Sequence, residues 1–120
     1  MYEKRSENIK AFLDFLRECQ TEYNSAYEAV GIEDKRTQDL LHAIEFEPQA
    51  KERSKICTKL KASRMARREN KDAVEELEPI IELLNDPMAK KTMDKLTQLL
   101  GKVRKVEEYH DKRTYIPRVE

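Results

Sequence analysis

Residues 56–84 read ICTKLKASRMARRENKDAVEELEPIIELL, and this stretch decides the fold class. Stepping from Ile56 by four and three picks out Leu60, Ser63, Arg67, Asn70, Val74, Leu77, Ile81 and Leu84. Residues three and four apart share one side of an α-helix, so the stripe marks a single inward face. Its ends are apolar and its middle is not. An arginine and an asparagine stand where a core is expected, and such groups need partners or solvent beside them, because burying them unpaired costs several kcal/mol.

The helix that carries this stripe is expected to open at Pro48, whose missing N–H is not needed in a first helical turn. Pro79 should kink it or restart it. Upstream, Ile9, Phe12, Leu16, Cys19, Tyr23, Ala26 and Val30 form a second stripe, flanked by Leu13, Gln20 and Tyr27. This predicts a first helix over residues 3–30, ~40 Å long, closed by Gly31 in a left-handed conformation. A short helix over 34–46 follows, with Leu40, Leu41 and Ile44 inward. Asp86-Pro87 is a helix start, an N-cap acceptor followed by proline. The helix it opens carries Met93, Leu96, Leu99, Leu100, Val103 and Val106 to about Tyr109, with Gly101 inside it at a cost of ~1 kcal/mol relative to alanine.

The expected fold is therefore all-α: an antiparallel helical bundle of about four helices, with an extended C-terminal tail. Residues 1–109 form one helical domain, and 110–120 form a tail that docks on the bundle or on another copy through Tyr115, Ile116 and Val119. Composition agrees. Charged residues make up 40% and hydrophobic ones 38%, with only two glycines, the balance of long helices and not of sheets. The first helix offers more apolar face than the short second one can cover, so part of it should meet another copy.

Charge is unevenly placed. The chain is neutral overall, but residues 51–71 hold nine Lys or Arg against Glu52 and Glu69. The next fifteen residues, 72–86, hold six acids and no base. Arg64/Arg68 and Arg67/Lys71 are like-charge pairs four apart, each mildly destabilising in an isolated helix. Three readings stand for this cluster. Acids such as Asp14, Glu18 and Glu22, or those of the 72–86 block, neutralise it internally. It forms a pocket for phosphates or nucleotides, with the arginines as fork donors and a tyrosine to stack a base. Or it tracks a nucleic-acid backbone, against which the net charge of zero and pI near 6.8 argue.

Signs of catalysis are missing. His42 and His110 belong to no metal-ligand motif, although His42 and Glu45 share a helix face. Two glycines cannot build a phosphate loop. Glu75, Glu76, Glu78 and Glu82 read as a solvated or salt-bridged face. Cys19 and Cys57 both sit on apolar stripes and are expected to be reduced and buried, with no zinc or redox spacing. No metal and no cofactor are expected, and the chain is read as a non-enzyme. The charged first residues argue against a secretory leader and for a cytoplasmic location, and no apolar run reaches the ~18 residues that span a bilayer.

Three elements carry a resemblance: Arg-Met-Ala-Arg-Arg-Glu-Asn-Lys at 64–71, Leu-Glu-Pro at 77–79, and the terminal Lys-Val-Arg-Lys-Val-Glu-Glu-Tyr-His (102–110) with Arg-Thr-Tyr-Ile-Pro-Arg-Val (113–119). Over residues 37–119 the chain resembles a group of small helical accessory proteins of temperate phages and prophages of low-GC Gram-positive bacteria. That setting implies a protein that disarms host machinery stoichiometrically. One form is a homo-oligomeric sponge for a nucleotide-like immune signal, of the cyclic-ADP-ribose-binding type. Arg64, Arg67, Arg68 and Asn70 would then grip phosphate or ribose, and Arg113, Tyr115 and Arg118 would close the site. The alternatives are an inhibitor or adaptor of a host replication, transcription or defence protein, and a single-strand nucleic-acid accessory. No membrane association is expected.

Overall fold

A computed structural model describes residues 4–114 together with Pro117 and Val119. It contains three long helices: α1 (Arg5–Phe46), α2 (Ala50–Asn85) and α3 (Pro87–Lys112). The expected four-helix bundle is thereby corrected to three helices. The break at Gly31 does not occur. Among the described residues no glycine has positive φ, and α1 runs through this position because the stripe continues beyond it as Glu33, Thr37, Leu40 and Ile44. The glycine's weak helix propensity, ~1 kcal/mol, is small against that continuous packed face. The extended tail is likewise shortened, since α3 continues through His110 to Lys112 and only then turns extended at Arg113. Tyr115, Ile116 and Arg118 lie outside the described residues, while Pro117 and Val119 are exposed. Pro79 lies inside α2 and does not restart it.

Two compact units divide the chain. One combines Met1–Glu18 with Leu83–Glu120, and the other is Cys19–Glu82.

In the first unit, the start of α1 pairs with α3 in antiparallel sense. Leu13, Leu16 and Leu100 are buried, with Ile9, Met93, Leu96 and Val103 half-buried beside them. The expected inward stripe of α1 holds at Ile9, Leu16, Cys19 and Ala26 and departs at Phe12, whose place the flanking Leu13 takes: Leu13 is 3% exposed and Phe12 51%. Lys4 Nζ pairs with Asp111 at 2.8 Å, and the Ser6 N–H donates to the Glu107 carboxylate at 3.1 Å. That N–H belongs to the first turn of α1, where backbone donors lack helical partners, so Glu107 supplies both an acceptor and a charge that favours the helix dipole. Hydrogen bonds from the Ser6 hydroxyl and N–H hold the Glu107 carboxyl below its ordinary pKa. The Lys4 hydrogen bond and charge do the same for Asp111, and the Lys4 ammonium is raised in turn. At the other end Asp86 caps α3, accepting from the Met88 N–H at 3.2 Å with Pro87 opening the helix, as the sequence predicts.

The second unit is a hairpin of α1 and α2. Arg53 Nη1 closes its turn by donating to the carbonyls of Glu47 (2.8 Å) and Pro48 (2.9 Å) in the linker between the two helices. The α2 stripe faces inward as its spacing predicts: Ser63, Val74, Leu77 and Ile81 are buried, and Ile56, Leu60, Arg67, Asn70 and Leu84 are half-buried. Cys19, Ala26 and Glu33 are buried on α1. Both cysteines are reduced, but Cys57 is exposed. It lies one residue past Ile56, which takes the inward position.

Candidate functional site

The polar middle of the α2 stripe meets a polar stretch of α1 that the expected break at Gly31 had concealed. Buried Ser63 donates its hydroxyl to the Glu33 carboxylate at 2.5 Å and lies 3.4 Å from the Thr37 hydroxyl. Arg36 pairs with the other Glu33 oxygen. Four residues further along α2, Arg67 Nε donates to Asp34 at 2.5 Å. Among the described residues no buried side-chain nitrogen or oxygen lacks a partner. The layer is complete, as a polar layer in a helix seam must be to persist.

Asp34 is therefore the acid that meets Arg67, where the sequence pointed to Asp14, Glu18, Glu22 or the 72–86 block. The pairing follows from a continuous α1. Once the helix runs past Gly31, the antiparallel register sets Asp34 opposite Arg67 and Glu33 opposite Ser63.

The remaining basic side chains are not neutralised in this way. Among the described residues Lys61, Arg64, Arg68 and Lys71 make no ion pair and no side-chain hydrogen bond. Together with Met65, Arg67, Glu69 and Asp72 they line a groove of ≈ 480 Å³ along α2. A second groove, of ≈ 300 Å³, runs between α1 and α2 and is lined by Tyr27, Val30, Gly31, Asp34, Arg67, Lys71 and Val74. The two share Arg67 and Lys71. Tyr27 is 66% exposed, with its ring 6.1 Å from that of Tyr23. A Cβ added at Gly31 would meet nothing within 4 Å, so the groove is open on that side.

Of the residues expected to bind a ligand, Arg64, Arg67 and Arg68 line one groove. Asn70 lines neither, and its amide donates back to the Ala66 carbonyl of its own helix at 2.8 Å. Arg113 belongs to the other unit, where it lines a groove of ≈ 350 Å³ with Lys105, Glu108, Tyr109 and Lys112. Tyr115 and Arg118 lie outside the described residues. Sequence reasoning had Lys71 in the basic cluster but missed Tyr27 and Asp34 as members of the site. The available signal was the run Tyr27-Gly31-Asp34, spaced four and three on α1, once the helix was taken as unbroken.

An arrangement of unpaired guanidinium and ammonium groups beside an exposed aromatic ring suits a planar anion. The cations can donate charge-assisted hydrogen bonds to phosphate oxygens, while the ring offers a stacking face. Among the described residues no group of three or more His, Cys, Asp or Glu could hold a metal ion, and no helix is long and apolar enough to cross a membrane. Comparison with protein-family models, with characterised proteins and with solved structures finds no match.

Proposed function

We propose that the chain is a non-enzymatic, self-associating binding protein that sequesters an anionic, nucleotide-like molecule in the grooves around Arg67 and Lys71. In the phage setting suggested by its sequence resemblance, it acts inside the bacterial host cell by withholding a nucleotide signal from host defence. The observation that supports this reading is the unrelieved repulsion along α2. Arg67 is tied to Asp34, yet Lys61, Arg64, Arg68 and Lys71 have no carboxylate partner among the described residues. An anion would relieve this repulsion. Phosphate oxygens are placed against Arg64, Arg68 and Lys71, and a base lies on Tyr27. Arg67, held by Asp34, keeps the groove wall in position.

Calorimetric titration with ADP and with cyclic dinucleotides tests this. Replacing Arg64 and Arg68 by glutamine should weaken binding by at least about tenfold, the equivalent of one charge-assisted hydrogen bond, with helicity unchanged. Absence of heat with the unmodified protein across such a panel would overturn the proposal. Affinity for single-stranded nucleic acid that falls steeply with salt would replace the small molecule by a polyanion.

A further inference from the structure

The unit formed by Met1–Glu18 and Leu83–Glu120 buries one seam and leaves a second apolar stripe uncovered. On α1, Phe12 and Phe15 are about half exposed; on α3, Leu99 and Val106 are similarly exposed and lie seven residues apart on one side of the helix. Phe12 immediately precedes buried Leu13, and Leu99 immediately precedes buried Leu100. An antiparallel helix pair has a local twofold normal to the plane of its axes, which maps each flank onto itself. Residues at matching positions on the two helices therefore share a flank, and Phe12 and Leu99 lie on the same one. The opposite flank is charged: there Lys10 pairs with Asp14, and Arg104 lowers the Asp14 carboxyl further.

Charge selects what can cover the apolar flank. The α3 stripe reads Lys95, Leu99, Lys102, Val106, so each apolar residue is bordered by a lysine. The α1 stripe reads Arg5, Asn8, Phe12, Phe15, Glu18, so it carries one base at its start, offset by an acid at its end. Packing α3 on a copy of itself would bring four lysines together, whereas packing it on α1 of a second copy sets apolar against apolar and lysine stems alongside phenyl rings.

We infer that a second copy of this chain covers the flank, with the Phe12–Phe15 stripe of each protomer seated on the Leu99–Val106 stripe of the other. A twofold axis parallel to the helices generates both contacts at once and closes a four-helix arrangement from two helix pairs, with every neighbour antiparallel. Area supports a second copy over a small ligand. Two half-exposed phenylalanines with Leu99 and Val106 present roughly 300–400 Å² of apolar surface per copy, a patch of the size that marks an interaction site. Doubled, it comes to roughly 600–800 Å², below the ~1,200 Å² of standard stable interfaces, which is the size of a weak, reversible association. The inference specifies the self-association contained in the proposed function, but not the ligand.

The test uses two single-cysteine proteins in a Cys19→Ala, Cys57→Ser background, one bearing Phe12→Cys and the other Leu99→Cys. Mixed and oxidised without any nucleotide, they should form the crossed disulfide dimer, while each alone should form little. Self-linking of Phe12→Cys alone, or no dimer in the mixture, overturns the pairing. Sedimentation of Phe12→Asp and of Leu99→Glu should each show self-association weakened by about a hundredfold, with circular dichroism unchanged; sedimentation identical to that of the unmodified protein contradicts the proposal. Since no nucleotide is present, failure of the ligand proposal would leave these outcomes untouched.

Discussion

Both units are antiparallel helix pairs, yet they are sealed by different chemistry. Where α1 meets α3, the seam is leucine on leucine, and the polar contacts stand at its edge: Lys4 on Asp111 and Ser6 on Glu107. Where α1 meets α2, the polar contacts occupy the middle of the seam, as Ser63 on Glu33 and Arg67 on Asp34. The first arrangement gains stability from apolar burial and leaves spare apolar surface on one flank. The second gives up apolar burial at its centre, and what it gains is register. Sliding the hairpin by one helical turn would strand the Glu33 carboxylate without Ser63, a penalty that an all-leucine seam would not impose. The same layer places unpaired cations on the flank of α2, so the less apolar unit carries the candidate site.

The contrast predicts unequal costs for small changes at the two seams. Leu100→Ala should destabilise the α1–α3 pair by about 2–4 kcal/mol, the usual cost of emptying a buried leucine site, visible in urea unfolding and in faster amide exchange of residues 5–18 and 87–112. Next in size, Ser63→Ala should cost about 1–3 kcal/mol by removing one partner of the Glu33 carboxylate, with exchange rising in the hairpin. Replacing Glu33 by leucine together with Ser63 by alanine should restore most of that loss, because a fully apolar layer is as stable as a satisfied polar one. If the double replacement were worse than Ser63→Ala alone, the polar layer would contribute more stability than register, and the comparison between the units would fail.

Glycine substitutions sharpen the comparison with smaller effects of opposite sign. Gly31 and Gly101 both lie inside helices, and a Cβ at either position meets nothing within 4 Å. Alanine at each should therefore stabilise by about 0.5–1 kcal/mol, raising the urea midpoint. At Gly31 the added methyl also borders the Tyr27 groove, so ligand affinity there should fall while stability rises.

The smallest effect is the response to acid, and it should be confined to the α1–α3 unit. Glu107, Asp111 and Asp14 have carboxyls held below their ordinary pKa. Their contribution is complete above the unfolded carboxylate range and is lost as pH falls through the lower folded values. Lys4 is raised, so its share persists through neutrality and is lost only as pH rises above the ordinary lysine range. Lys4 and Asp111 are exposed and Asp14 and Glu107 only half-buried, so the change should be slight and weaker still in high salt. Carboxyl titration by NMR, with and without added salt, checks the order.

Much of this was legible in the residues. The α2 stripe from Ile56 to Leu84 gave the inward face in full, including the polar positions, because a helical period is a property of spacing alone. Asp86-Pro87 located the start of α3 for an equally local reason. Gly31 misled, since propensity treats it as a terminator while continuity of the seam outweighs ~1 kcal/mol. That one error split α1, hid Asp34 and Glu33 from their partners on α2, and placed Tyr27 near a helix end instead of in a groove wall. Phe12 misled for a different reason: it and Leu13 fit an apolar stripe equally well, and only the pairing with α3 decides which of them turns inward.

Native mass spectrometry of the purified protein, before and after a denaturing extraction analysed for small molecules, tests the central claim most directly. The account predicts an oligomer that carries or takes up a nucleotide-sized anion, and that loses it when Arg64 and Arg68 are replaced by glutamine. An oligomer that stays empty against nucleotides and cyclic dinucleotides, or one that still carries the anion after those replacements, would contradict it.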